Sequence, residues 1–182
     1  SDPAIFALEQ PVPADASFEP NGSHIDMLHE TPFCMGIAHD QNNAYFTFNG
    51  KLGSIDRYDF KQPHLPGGDN HLDGELLRYV EGELARVENV PSHMAFDASR
   101  RKLYISDTGH GRIVALDANS GTPAQDIATN EPIAMAKRVS GAALSEVVAP
   151  GVVAQPSGLA LAGGALFVTD RATGMIHAFD RS

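Results

Sequence analysis

His64, Asp69, His71 and Asp73 lie within ten residues of one another in KQPHLPGGDNHLDGELLRY, residues 61–79. Imidazole nitrogens and carboxylate oxygens at that density can hold a divalent cation, including Ca²⁺. The spacing matches neither an EF-hand nor an H-E-x-x-H zinc motif. In the competing reading, Pro63, Pro66, Gly67, Gly68 and Gly74 shape a surface loop whose carboxylates cap its own turns. A second, dispersed group comprises Cys34, His93 and His110, with Asp107 and Asp170 as nearby carboxylates. Thiolate and imidazole ligands of this kind suit zinc or copper. Cys34 with His93 as its base is also a conceivable nucleophilic pair. The plainer alternative makes Cys34 a small buried residue and His110 a turn residue. In that alternative Asp107 and Asp170 bond the amides of their own turns.

These residues sit in a repeated framework. PSHMAFDASRRKLYISDTGHGRIVALD begins at Pro91, and PSGLALAGGALFVTDRATGMIHAFD begins at Pro156. Both run Pro-Ser-x, a short apolar stretch, a polar turn, then LYISD or LFVTD, a Gly-bearing turn and an apolar stretch ending in Asp. A looser copy, PFCMGIAHDQNNAYFTFNGKLGSIDRYD, begins at Pro32, so the period is close to sixty residues. Each unit holds three strand-length segments separated by Gly, Asn, Asp and Ser, which is the pattern of an antiparallel meander. GELLRYVEG after the first unit and IAMAKRV after the second are the expected fourth strands, and EGELARVE is expected to be a solvated outer strand. Four-stranded antiparallel sheets at a fixed period predict blades of a β-propeller, with a β-sandwich as runner-up.

Composition narrows the partners. The net charge of −10, with no basic cluster, argues against nucleic acid and anionic membrane surfaces. The most apolar stretch, 141–168, is interrupted by Glu146, Pro150 and Pro156, so no membrane span is expected. One cysteine cannot form an intrachain disulfide. G-x-S-x-G, P-loop and C-x-x-C-H motifs are absent.

The Pro-x-x-apolar opening followed by LYISDTGHGRIVALD or LFVTDRATGMIHAFD resembles the NHL-repeat β-propellers over residues 32–180. The resemblance implies an all-β, NHL-like propeller of which three four-stranded blades are visible, at about 31–88, 89–150 and 151–182. Residues 1–30 form a lead-in, from which AIFALE or HIDML can supply the outer strand that the third unit lacks. The family's rings are typically six-bladed, so three blades are half a ring, completed by a second chain as a homodimer or by further sequence.

In such a ring the first strand of each blade lines the channel. Aligning the units puts Cys34, His93 and Gly158 together at its mouth, with His110 on the same face. His39 then opens on the opposite face with the 61–79 insertion. The family includes an amidating lyase with metal-binding histidines near the axis, an analogy that favours His93. His24 and His29 are expected in solvent, and His177 against a neighbouring blade. The function implied is a secreted or periplasmic binding protein with a His/Asp-lined site for a divalent metal (Zn, Cu or Ca) or a small molecule. The alternatives are a metal-dependent lyase or lactonase and a protein-binding scaffold without chemistry.

Overall fold

The computed structural model describes residues 5–6, 27–61 and 72–181. Every regular element among them is a β-strand. A short pair, β1 (Ile5–Phe6) and β2 (Met27–Leu28), precedes three larger sheets, none of them closed. The first sheet holds β3 (Cys34–Gln41), β4 (Ala44–Asn49), β5 (Ser54–Asp59) and β6 (Glu75–Tyr79) as an antiparallel meander. The second has β7 (Met94–Asp97), β8 (Lys102–Asp107) and β9 (Arg112–Asp117). Between β9 and the second sheet's last strand come β10 (Thr122–Asp126) and β11 (Met135–Ser140), and that last strand is β12 (Leu144–Val148). The third has β13 (Pro156–Ala162), β14 (Ala165–Asp170) and β15 (Ile176–Asp180).

Alternation along the strands stacks the sheets in chain order. In β8, Leu103 and Ile105 turn toward the first sheet, where they join Phe46, Phe48 and Ile55 in one buried cluster. Tyr104, between them, turns the other way and packs with Ile113, Ala115, Leu166 and Val168 of the second and third sheets. The second sheet is thus apolar on both faces, as a central layer must be. Arg101 ion-pairs with Asp40 across the first two sheets, and Arg181 reaches Asp97 at 2.9 Å across the second and third.

The leading ends of the three sheets' first strands are also linked directly. The Ser92 amide donates to the Met35 carbonyl at 2.9 Å, and the His93 amide to the Ser157 carbonyl at 3.2 Å. Gly36 makes that approach possible, since a Cβ there would lie 2.2 Å from the Ser92 oxygen.

Three expectations are corrected. IAMAKRV does form a strand, β11, but it pairs parallel to β6 and extends the first sheet instead of completing the second. Its side chains suit that edge, because Ile133 and Ala136 cover Tyr58, Phe60 and Leu76 on one face while Val139 joins the cluster on the other. The outer strand of the second sheet is LSEVV, residues 144–148. EGELARVE is turn and irregular chain with Leu84 buried, not a strand. The N-terminal segments pair with each other, Ile5 opposite Leu28, and among the described residues no strand covers the outer edge of β15.

The two ends of the stack differ. The far face of the first sheet is closed by Leu28, packed on Tyr58 and Phe60, and by a buried polar network. Asp56 there accepts from Arg78 at 2.7 and 2.9 Å, from Asn49 at 2.9 Å and from Thr31 at 3.1 Å. Burial beside the Asp56 charge pushes the Tyr58 hydroxyl far above the ordinary tyrosine range. The far face of the third sheet, with Ile176 and Ala178, is exposed.

Candidate functional site

One residue at the end of each second strand organises the loops. β4, β8 and β14 are each six residues long and finish in Asn49, Asp107 and Asp170, all buried. Asp107 accepts the Ala85 amide at 2.8 Å, Arg112 Nε at 2.8 Å and His110 Nδ1 at 2.8 Å. Asp170 accepts the amides of Gln155 at 3.0 Å, Ala154 at 3.2 Å and Ala172 at 3.0 Å. Burial alone would raise the Asp170 carboxyl, but these amides, with the Thr173 hydroxyl, hold it below the usual range. Asn49 accepts from the Lys51 and Leu52 amides at 3.2 and 3.1 Å and donates to the Glu30 carbonyl at 3.3 Å.

The common role is a pin: each side chain ties the segment that leads into the first strand of its sheet to the turn after the second strand. Asp170 also bonds an amide of its own turn, as expected. Asp107 instead reaches across to Ala85, with no amide of its own turn.

Pinning a lead-in beside each turn leaves a groove between consecutive sheets. Between the first and second it is occupied by the chain itself. Arg86 bonds the Gly50 carbonyl at 3.2 Å and stacks on Phe33, its guanidinium 4.6 Å from the ring centre. Between the second and third sheets the corresponding groove is open, a cleft of about 340 Å³. One wall is the turn Thr108–Gly111 with Val87 and Val90, and the other is Ala154–Pro156 with Arg171. Among the described residues no Asp or Glu lines it. Asp107 and Asp170 stand behind the walls with their oxygens engaged. Arg171 shows no side-chain partner among the described residues, so the cleft is a positive spot on a chain of net charge −10. Another cleft, of about 310 Å³ at the edge of the first sheet, contains Arg138 and Arg78, but Glu81 and Asp56 respectively neutralise them.

The predicted site residues are scattered. His110 is half exposed on the cleft wall, its Nδ1 turned to Asp107. His93 is exposed just before β7, the first strand of the second sheet. Cys34 is half-buried, its Sγ 3.5 Å from the Gly36 carbonyl, and burial raises its thiol above the ordinary value, which opposes a thiolate. The proposed equivalence of Cys34 with His93 and Gly158 does not hold. The third residues of β4, β8 and β14 pair with Ala38, Ala95 and Ala160, and two residues before these stand Gly36, His93 and Gly158. β3 bulges between Cys34 and Ile37, as β13 does between Pro156 and Leu159, so the register places Gly36 with Gly158 and Cys34 with Pro156.

His39 is exposed and bonds the Asn42 carbonyl at 2.9 Å, capping its own turn. That turn adjoins the start of the 61–79 insertion, since the Phe60 amide donates to the Asn43 carbonyl at 3.0 Å. Of the insertion's candidates, His64, Asp69 and His71 lie outside the described residues, and Asp73 is half-buried before β6. Among the described residues no three of His, Cys, Asp and Glu come together in a way that could hold a metal. His29 is not free in solvent but bonds Glu131 at 2.5 Å, and His177 stacks on Phe179, which packs toward the second sheet.

Sequence reasoning passed over Arg171, Gln155, Val87 and Val90. The signal was present in DRATG against DTGHG, where a cation replaces Thr immediately after the pinning Asp. No family model matches this chain, and no curated protein matches it in sequence.

Proposed function

We propose that this chain is a small-molecule-binding protein built from three consecutive blades of an NHL-like β-propeller, and that its ligand occupies the cleft between the second and third blades. The propeller reading is supported by meanders that follow one another in chain order, stack face to face and bond through the starts of their innermost strands. In this reading β10 and β11 are an insertion that thickens the first blade, and the exposed face of the third is where a ring would continue. The exported location implied by the resemblance belongs to the same proposal, and subcellular fractionation tests it.

The observation that carries the ligand site is the contrast between two equivalent grooves. One is filled by Arg86 on Phe33, and the other is open, free of acidic lining among the described residues and walled by both apolar and hydrogen-bonding groups. Small-molecule sites combine apolar walls with a few placed polar groups in this way. A screen of small-molecule mixtures against ¹⁵N-labelled protein tests the reading. Hits should move the amide resonances of Gly109, His110, Gly111, Gln155 and Arg171. Hits that map consistently elsewhere overturn it.

A further inference from the structure

We propose that the ligand of this cleft is a small monocarboxylate with a short apolar body, anchored by Arg171; the proposal rests on the cleft being the binding site. Three features of the walls lead there. First, Arg171 carries a full positive charge with no side-chain partner among the described residues, on the turn that follows Asp170. A guanidinium is a planar fork of donors that fits a carboxylate through two parallel hydrogen bonds. Second, no carboxylate competes for it from inside the cleft, because Asp170 is occupied by the amides of Ala154, Gln155 and Ala172, and Asp107 by Ala85, Arg112 and His110. Third, Val87, Val90 and Pro156 supply an apolar surface within the same walls.

These features also exclude neighbouring chemistries. A phosphate monoester carries nearly two negative charges and no apolar body at its charged end, and it meets clusters of cations where this cleft has one arginine. A cationic ligand would be repelled by Arg171 and would find no acidic group among the described residues of the walls. A neutral ligand would gain nothing from the guanidinium's charge, which a carboxylate meets with two charge-assisted hydrogen bonds. The first groove shows the same logic inverted. There the chain's own guanidinium fills the space and is satisfied by a carbonyl and an aromatic face. His110, with Nδ1 committed to Asp107, presents Nε2 as its remaining polar atom.

The test is a set of ¹⁵N-resolved titrations with benzoate, its neutral isostere benzamide, hexanoate and inorganic phosphate, on the wild-type chain and on Arg171→Gln and Arg171→Lys. Benzoate or hexanoate should shift the amides of His110, Gly111, Gln155 and Arg171, while benzamide and phosphate should bind at least ~tenfold more weakly. Arg171→Gln should weaken the carboxylates by ~tenfold or more, and Arg171→Lys should restore only part of that, since a lysine cannot make the paired contact. Arg171 is exposed, so neither variant should move the urea midpoint. Equal binding of benzamide, stronger binding of phosphate, or indifference of carboxylate binding to Arg171→Gln overturns the proposal. So does silence toward both carboxylates. In each case the cleft itself is judged separately by the mixture screen, which assumes no ligand class.

Discussion

Asp107 is where the account of the loops is most exposed to test. Its side chain is fully buried and holds three donors: the Ala85 amide, Arg112 Nε and His110 Nδ1, each at 2.8 Å. Asp107→Ala leaves the half-buried Ala85 amide without its acceptor, a loss of about 1–2 kcal/mol. The Arg112 side chain is 25% exposed, so water compensates part of its loss, and that pair contributes only about 1 kcal/mol. The half-exposed His110 adds roughly 0.5 kcal/mol or less. The expected destabilisation is therefore about 3 kcal/mol, read from urea unfolding followed by far-UV circular dichroism. Asp107→Asn keeps an oxygen for the Ala85 amide but puts an amide NH2 where Oδ2 accepted from Arg112 and His110, so it should cost about 1–1.5 kcal/mol. The gap between the two variants measures the pin. The reasoning is refuted if Asp107→Ala falls within about 0.5 kcal/mol of wild type, the range of an ordinary surface change. It is equally refuted if the Asn variant is as damaging as the Ala variant, since the Arg112 and His110 contacts and not the Ala85 tether would then be responsible.

Other outcomes follow from the same structure. Gly36→Ala places a Cβ against the Ser92 carbonyl between the first two sheets, and urea unfolding should show a loss of about 2–3 kcal/mol. The Asp97 carboxyl lies below the usual range, chiefly through the Ser99 hydroxyl and with help from the Arg100 amide and Arg181. Its contribution is present above the unfolded pKa near ~4 and is lost as pH falls through the lower folded value, so acid titration of stability should slope less steeply in Asp97→Asn. Glu30, whose carboxyl burial raises, works in the opposite sense, and Glu30→Gln should steepen that slope. Burial raises the Cys34 thiol as well, so alkylation by iodoacetamide at pH 8 should be roughly tenfold slower in the folded protein than in urea.

Much of the fold could be read from the chain because second strands of equal length end in the same kind of residue. AYFTFN, KLYISD and ALFVTD became β4, β8 and β14 with matching registers. What the chain did not disclose was partnership. IAMAKRV has the pattern of a strand, and nothing local says that it leaves the second sheet to lie beside β6. Neighbours in sequence usually pair, and here the apolar edge of the first sheet overrode that default. The register of β3, invisible in composition, put Gly36 and not Cys34 at the place of His93. The candidate site fared less well, because imidazole and thiol drew attention by type. Arg171 matters for what is absent around it, and the absence of neighbours is a property of three dimensions. His110 was placed in the correct turn, though its role as the third donor to Asp107 had to be seen.

The central claim is that the open groove between the second and third sheets binds the ligand. Val87, on the wall of that groove and 42% exposed, offers the most direct check. Val87→Trp puts an indole into the cleft and leaves Arg171 and both pinning aspartates unsubstituted. Calorimetric titration of the strongest hit should give one site per chain in the wild type and at least ~tenfold weaker binding in Val87→Trp, with the urea midpoint unchanged. Undiminished affinity in the folded Val87→Trp protein would contradict the account and place the function elsewhere on the molecule.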